Sequence, residues 1–206
     1  PSLLVDLEGH GRESLFDDVD LSRTVGWFTA LYPVRLDLGM IEHPGEALKA
    51  IKEQLRGIPQ RGLGYGLLRY LGDDRAALQA LPQAQVSFNY LGQFELGLND
   101  ALLAPARESA GPERDPAATR AYLLDISASV RGGRLQVDWL YSRNQYRRET
   151  IEALAEGYLR ALRELVAHCQ SPEAGGYTAS DFPEASLDQQ ELDEILLELK
   201  EASGDE

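Results

Sequence analysis

The sequence is poor in the residues that build disulfides and metal centres. Its 206 residues include a single cysteine, Cys169, so an internal disulfide is excluded. Cys169 follows His168 on a predicted amphipathic helix, a setting that favours a packed or half-exposed thiol over a nucleophile. The three histidines, His10, His43 and His168, lie far apart in sequence with no partner at metal-ligand spacing. We therefore expect no metal site.

Positive charge is also scarce. Twenty Lys and Arg residues stand against 34 Asp and Glu residues, which gives a formal net charge of −14. Nucleic acids and anionic membranes bind clustered positive charge, and the basic residues here are dispersed, so we expect neither partner. No apolar run is long enough to span a bilayer, and the first residues lack the basic region of a signal peptide. The composition favours a cytoplasmic protein.

Hydrophobic periodicity predicts an α+β fold with a mixed sheet and packed helices. Alternation predicts strands over 3–8, 32–38, 86–90, 123–130 and 135–141, and helical spacing predicts helices over 44–56, 149–170 and 188–200. Gly132 and Gly133 separate the last two strands, which predicts an antiparallel hairpin. Residues 59–66 are interpreted as a glycine-rich loop and 104–119 as a surface excursion.

The hydrophobic and charge patterns also predict that the chain divides into a lobe, a linker and a tail. Residues 1–170 are expected to form one lobe, 171–186 a linker, and 187–206 an acidic helical tail. Because alternation starts with the first residues, we expect the chain to begin inside a longer domain. The tail is either an interdomain linker or a docking segment that selects a partner through charge complementarity.

Four sequence strings occur in one order along the chain. They are LEGHGRE at 7–13, RTVGWFT at 23–29 continuing to Tyr32-Pro33-Val34, PQRGLGYG at 59–66, and FNYLG at 88–92. Together they resemble the motif set of epimerization domains of nonribosomal peptide synthetases, which belong to the condensation-domain superfamily. The strings at 177–183 and 192–195 resemble the segment that follows such domains. The Gly-Trp-Phe-Thr string favours the epimerization branch over condensation domains.

The resemblance implies a fold and a set of partners. It implies the C-terminal lobe of a chloramphenicol-acetyltransferase-like two-lobed fold, with the N-terminal half of the same domain as partner. The substrate is implied to be an aminoacyl or peptidyl thioester on the phosphopantetheine of a peptidyl carrier domain, with no cofactor bound directly. A downstream synthetase is a further partner if the acidic helix is a docking segment. The family's His-His-x-x-x-Asp-Gly motif is absent from this sequence, so the chain alone is expected to be inactive.

Inversion at a thioester α-carbon needs one acid/base group on each face of the substrate. The resemblance implies that Glu8 is one of them and that the upstream histidine is the other. Glu8 lies between an apolar strand and a glycine turn, where partial desolvation would suit it to proton transfer near neutral pH. The alternative is a structural ion pair of Glu8 with Arg12 or Arg23.

Two further residues are candidates for substrate binding. Asn89 and Tyr90 end a predicted strand, and the resemblance implies that they face the active-site tunnel. An amide and a phenol can donate hydrogen bonds to an enolate oxygen. The alternative role is capping of the sheet edge.

The remaining motif residues are expected to be structural. Gly9 and Gly11 are expected to have backbone angles that other residues avoid, with His10 as a hydrogen-bonded turn residue and Glu13 in a salt bridge. Trp27 and Phe28 are expected in the core. Gly64, Tyr65 and Gly66 are expected in a loop at the channel floor.

Two other functions fit the same sequence. One is a condensation domain that forms peptide bonds. The other is a catalytically inactive member that serves as a recruitment or docking platform.

Overall fold

The chain forms two compact units. The computed structural model describes residues 2–94, 108–109, 111, 115, 117–171 and 174–203. The helical unit contains the described parts of Pro1–Leu3, Leu36–Arg61 and Leu154–Glu206, and the sheet unit those of Leu4–Arg35 and Gly62–Ala153. The surface excursion predicted at 104–119 lies largely outside the described residues.

The described residues contain five strands and five α-helices. The strands are β1 (Ser2–Gly9), β2 (Ala30–Asp37), β3 (Val86–Phe94), β4 (Leu124–Arg131) and β5 (Arg134–Tyr141). The α-helices are α1 (Pro44–Arg56), α2 (Tyr65–Leu71), α3 (Arg75–Ala80), α4 (Arg148–Cys169) and α5 (Gln189–Ser203). Short 3-10 helices occupy Pro59–Gly62 and Ala179–Asp181.

The five strands form one mixed sheet in the order β2-β1-β3-β4-β5. Strands β1, β3 and β4 are parallel to one another, with Val5 opposite Val86 and Val86 opposite Leu124. Strand β5 is antiparallel to β4. The α+β class with a mixed sheet is therefore confirmed. Because parallel strands share one direction, the carboxyl ends of β1, β3 and β4 meet at the same edge of the sheet.

The β4–β5 hairpin turns through Gly132 and Gly133, as the sequence predicts. Their φ angles are 56° and 71°, both in the left-handed region. A two-residue turn with two positive φ angles matches the right-handed twist of the flanking strands, and glycine adopts it without steric cost. The turn fixes the register, which pairs Leu124 with Tyr141 and Arg131 with Arg134.

The two faces of the sheet differ in polarity. Side chains alternate along each strand, so Val5, Ile126 and Ala128, all buried, lie on one face. The other face is polar. This polar face carries Asp6 and Glu8 on β1, Ser87 and Asn89 on β3, Asp125 and Ser127 on β4, and Asp138 on β5, and it also includes Leu4 and Leu140. It carries the candidate site.

Two predicted boundaries are wrong. Strand β3 does not end at Tyr90 but continues to Phe94, because a register shift between Tyr90 and Gln93, with Gly92 at φ 81°, allows pairing with β4 to resume. Residues 59–66 are not a continuous loop. A 3-10 turn ends at Gly62, whose φ is 79° and whose missing side chain makes room for the ring of Tyr32, and α2 then begins at Tyr65.

Part of the segment predicted as a linker is anchored to α1 within the helical unit. Thr178 is only 1 % exposed and caps the 3-10 helix Ala179–Asp181. The Asp181 carboxylate accepts hydrogen bonds from Lys52 at 2.6 Å and Arg56 at 2.7 Å, and it accepts another from the Thr178 backbone N–H. Whether 171–186 separates two domains stays a prediction.

The contacts of Asp181 with Lys52, Arg56 and the Thr178 backbone make the stability of the chain depend on pH. Hydrogen bonds from Lys52, the Thr178 backbone and Arg56 hold the pKa of Asp181 well below its ordinary value. A lowered pKa in the folded state stabilises the fold above the ordinary aspartate pKa of about 3.9, and this contribution is lost as the pH falls below that value. We expect Asp181→Asn to lower the urea midpoint at pH 7, and the difference from wild type to shrink at pH 3.

Urea titrations at both pH values measure this effect. Glu152→Gln is the matched control, because Glu152 forms an exposed ion pair with Arg148 one helical turn away, and such pairs contribute little. A midpoint difference for Asp181→Asn that is the same at pH 7 and pH 3 would contradict the assigned role.

Candidate functional site

Glu8 and Asn89 form a hydrogen-bonded pair on the polar face. Glu8 is the penultimate residue of β1, and Asn89 lies beside it on the neighbouring parallel strand β3. The Asn89 Nδ2 group donates to Glu8 Oε2 at 2.7 Å. An amide carries two N–H donors, so Asn89 can orient the carboxylate with one and offer the other to a ligand. This pair joins two of the predicted catalytic and binding residues directly.

A second row of polar contacts lies on the same face, two residues before Glu8 on β1 and two residues before Asn89 on β3. The Ser87 hydroxyl donates to Asp125 at 2.8 Å, and the Tyr122 hydroxyl donates to Asp6 at 2.7 Å. Burial raises the pKa of Tyr122, and the hydrogen bond to Asp6 and the nearby carboxylates raise it further. Tyr122 therefore remains a neutral donor, and the row holds its carboxylates in fixed positions. No motif in the sequence indicates this row, because Tyr122 lies outside the strands and Asp6, Ser87 and Asp125 come from three separate segments.

An open groove of about 1850 Å³ runs over the polar face. Glu8 and Asn89 line it together with Asp125, Ser127 and Asp138. The groove thus exposes the Glu8–Asn89 pair to a ligand. Glu8 is an exposed residue, so the desolvation expected of it is not provided by the described chain. The reason is that the carboxylate stands on an open sheet face and not beneath a packed element.

Tyr90 does not join this pair. It is 47 % exposed and is absent from the described residues that line the groove. Successive residues of a strand point to opposite faces, so Tyr90 lies on the face of β3 away from Asn89. The structure therefore does not bring Asn89 and Tyr90 to one face, because β3 remains extended through both residues, and a role of Tyr90 in substrate binding stays a prediction.

Arg12 stabilises the segment that connects β1 to β2. Its guanidinium donates to the carbonyl oxygens of Leu21 and Gly26, at 2.9 and 3.3 Å, and lies 4.6 Å from the centre of the Phe28 ring. Gly11 has a φ of 65°, and a side chain there would collide with the carbonyl of Phe28. Gly9 has no such angle: it is the last residue of β1, and the expectation of an unusual backbone there is wrong.

Trp27 is not a core residue. It is 85 % exposed and lines the groove, whereas Phe28 is half-buried. The core prediction fails for Trp27 because residues 10–29 contain neither helix nor strand, so no regular face directs the indole inward. Its exposed ring is available to a ligand in the groove.

The glycine-rich string contributes helix α2 in place of a loop. Gly64 is the N-cap with an ordinary φ of −74°, and Tyr65 and Gly66 are the first helical residues. Arg69 donates to the Tyr65 hydroxyl at 2.8 Å. Tyr65 and Gly66 line a second cavity of about 560 Å³. Of the other motif residues, His10 and Arg23 are exposed and Glu13 is half-buried, and their roles stay predictions.

The structure brings together two histidines that are distant in sequence. The rings of His43 and His168 lie 5.3 Å apart between centroids and are nearly perpendicular, within the helical unit. In the described part of the chain no group of three or more His, Cys, Asp or Glu residues can hold a metal ion.

The single cysteine, Cys169, is exposed at the end of α4. Among the described helices none has both the length and the apolar character needed to cross a membrane.

Comparisons with known proteins agree with the motifs. The family model described as "Condensation domain" matches residues 2–187. A component of the linear gramicidin synthase of Brevibacillus parabrevis is 51 % identical over 199 residues, which cover 95 % of this chain and 3 % of that protein. Chondramide synthase of Chondromyces crocatus is 44 % identical over 200 residues, which cover 95 % of this chain and 5 % of that protein. The chain thus spans a small fraction of these relatives.

Solved structures that resemble this chain include an epimerization domain and a condensation domain. The epimerization domain from the third module of tyrocidine synthetase B is 38 % identical with a TM-score of 0.72, over 82 % of this chain and 37 % of that chain. A condensation domain that mediates chain release from the enacyloxin polyketide synthase is 17 % identical with a TM-score of 0.50, over 86 % of this chain and 34 % of that chain, which shows the fold alone. This chain therefore belongs to the condensation-domain family, within the superfamily that its motifs indicate.

Proposed function

We propose that this chain is the C-terminal half of an epimerization domain of a nonribosomal peptide synthetase. The complete domain converts the L to the D configuration at the α-carbon of a carrier-bound aminoacyl or peptidyl thioester. The observation that carries the proposal is the Glu8–Asn89 pair, which joins two motif strings 81 residues apart through one hydrogen bond and lines an open groove. The 38 % identity to a solved epimerization domain supports this branch of the family.

In the proposed reaction Glu8 serves one face of the α-carbon. In one direction it takes the α-proton, which leaves an enolate of the thioester, and an acid on the opposite face returns a proton to the same carbon. In the other direction the two groups exchange roles. Asn89 holds the Glu8 carboxylate in position and has a second N–H for the developing enolate oxygen. The group on the opposite face comes from the upstream half of the domain, so this chain alone is expected to be inactive.

The proposed partners follow from the substrate. The thioester arrives on the phosphopantetheine arm of a peptidyl carrier domain, so no cofactor needs to bind this chain directly. The acidic helix α5 is proposed as either a docking segment for a downstream synthetase or a linker. Its charged residues, such as Glu191, Asp193 and Glu194, are exposed, as either role requires.

The test uses the complete domain with its upstream half and its carrier. The carrier is loaded with an L-aminoacyl thioester or an L-terminated peptidyl thioester in deuterated water, and product chirality and α-deuterium are followed together. We expect D-product to accumulate with uptake of one deuterium per inversion, and the isolated chain to give none. Formation of a peptide bond with a supplied acceptor amine, without α-exchange, would instead establish a condensation domain. Loss of both activities would indicate an inactive platform and refute the proposal.

A further inference from the structure

The groove over the polar face is much longer than one amino acid requires. Asp125 and Arg131 on β4 both line it, and they are six residue steps apart along the strand. At about 3.3 Å per strand residue this is a length of about 20 Å. An extended peptide also advances by at most about 3.3–3.6 Å per residue, so about five or six residues fit along the groove.

The end of the groove distant from Glu8 includes four amide side chains, together with Arg143. Gln83, Gln85, Asn144 and Gln145 all lie there, and all four are exposed. Each amide both donates and accepts hydrogen bonds, and peptide groups need both kinds of partner. A single amino acid held at Glu8 has no peptide group that could reach them.

The register of the sheet gives the separation of this end from Glu8. Asp138 lies in the row of Glu8, Asn89 and Ser127, and β5 ends three residues later at Tyr141, which is about 10 Å along the sheet. Three inter-strand steps of about 4.8 Å separate β1 from β5 across the sheet. The diagonal of these two distances is about 18 Å, which an extended chain of about five residues covers.

The distal amides are presented by an ordered turn. The Ser142 carbonyl accepts hydrogen bonds from the backbone N–H groups of Gln145 at 3.1 Å and Tyr146 at 3.0 Å. The Ser142 hydroxyl oxygen accepts from the Asn144 N–H at 3.3 Å. The backbone of the turn is thereby satisfied internally, which leaves the side chains of Asn144 and Gln145 free to contact a ligand. A preformed turn also lowers the entropic cost of binding.

We infer that the groove binds the peptide chain of the substrate, so that the domain acts on peptidyl rather than aminoacyl thioesters. The inference rests on the proposed function and specifies its substrate class. The reacting residue lies at Glu8 and Asn89, and the preceding residues of the substrate extend over the polar face towards Asn144 and Gln145. Trp27, exposed at the groove, offers an apolar surface to substrate side chains on the way.

The first test compares substrates of different length on the complete domain. Carriers are loaded with L-alanyl, glycyl-L-alanyl or tetraglycyl-L-alanyl thioester, which share the reacting residue, and α-deuterium uptake is measured at limiting carrier concentration. We expect kcat/KM to rise about tenfold from the aminoacyl to the pentapeptidyl carrier, since one or two additional hydrogen bonds contribute this much. Equal or faster exchange of the alanyl carrier would overturn the inference and leave the proposed function intact. No exchange of any carrier would refute the proposed function itself.

The second test removes the distal amides. Asn144→Leu combined with Gln145→Met keeps side-chain size while removing donors and acceptors. We expect the ratio of pentapeptidyl to alanyl kcat/KM to fall about tenfold, mainly through KM. Gln170→Met, at an exposed position after α4, is the matched control and keeps the wild-type ratio. A double variant that lowers both rates by the same factor has only a structural effect, and that result would overturn the inference.

Discussion

Replacing Glu8 by glutamine in the complete domain is expected to abolish inversion in both directions, with a loss of about 10²–10⁴-fold. Glutamine is nearly isosteric and its carbonyl oxygen can still accept the hydrogen bond from Asn89, so the site geometry is kept. What is lost is the ability to take up and return a proton. Product chirality from L-loaded and D-loaded carriers measures the effect.

Deuterium exchange at the α-carbon distinguishes the two enantiomers in the Glu8→Gln variant. In a two-base mechanism the second group still removes a proton from the face that it serves, so Glu8→Gln retains α-exchange without inversion for one enantiomer only. The other enantiomer should show neither exchange nor inversion. Glu152→Gln, an exposed residue of α4, is the matched control and should behave as wild type. Wild-type inversion by Glu8→Gln would show that Glu8 is structural, as an ion-pair role with Arg12 or Arg23 implies.

The fold could be predicted from the sequence wherever periodicity and turn chemistry agree. The alternation of 135–141 and the pair Gly132-Gly133 identify the β4–β5 hairpin, and helical spacing identifies α1 and α4. Helix α2 could not be predicted, because three glycines at positions 62, 64 and 66 are typical of a loop. Of these three glycines only Gly62 has a positive φ; Gly64 has an ordinary φ of −74° as the N-cap of α2, and Gly66 lies inside the helix with open space around it.

The candidate site could be predicted in part. The motif strings identify Glu8 and Asn89, but their contact depends on the parallel register of β1 and β3, which a sequence does not contain. Side-chain alternation along β3 puts Tyr90 on the face away from Asn89. The contact of Tyr122 with Asp6 joins residues 116 positions apart, and no local pattern indicates it.

Changing Asn89 is expected to alter the pH dependence of the reaction as well as its rate. Asn89→Leu removes the donor that orients Glu8, and we expect the inversion rate to fall by about 10- to 100-fold, since the catalytic geometry is loosened and a charge-assisted hydrogen bond is lost. Asn89→Asp instead places a second carboxylate at 2.7 Å from the first. Two carboxylates at this distance cannot both ionise easily, and they retain one shared proton to higher pH.

The two variants therefore differ in the size of a measurable shift in the pH profile. Because the base must be deprotonated, the acid limb of the pH profile of kcat/KM should move upward by at least about one pH unit in Asn89→Asp, and activity should recover as the pH rises. Asn89→Leu removes only one donor to the carboxylate, so its acid limb should move upward by less, and its rate should stay low at high pH because the catalytic geometry is loosened. Gln136→Glu adds the same charge to an exposed position of β5 and controls for long-range electrostatics, which solvent screens. Superimposable pH profiles for Asn89→Asp and wild type would show that Asn89 and Glu8 do not act together in proton transfer.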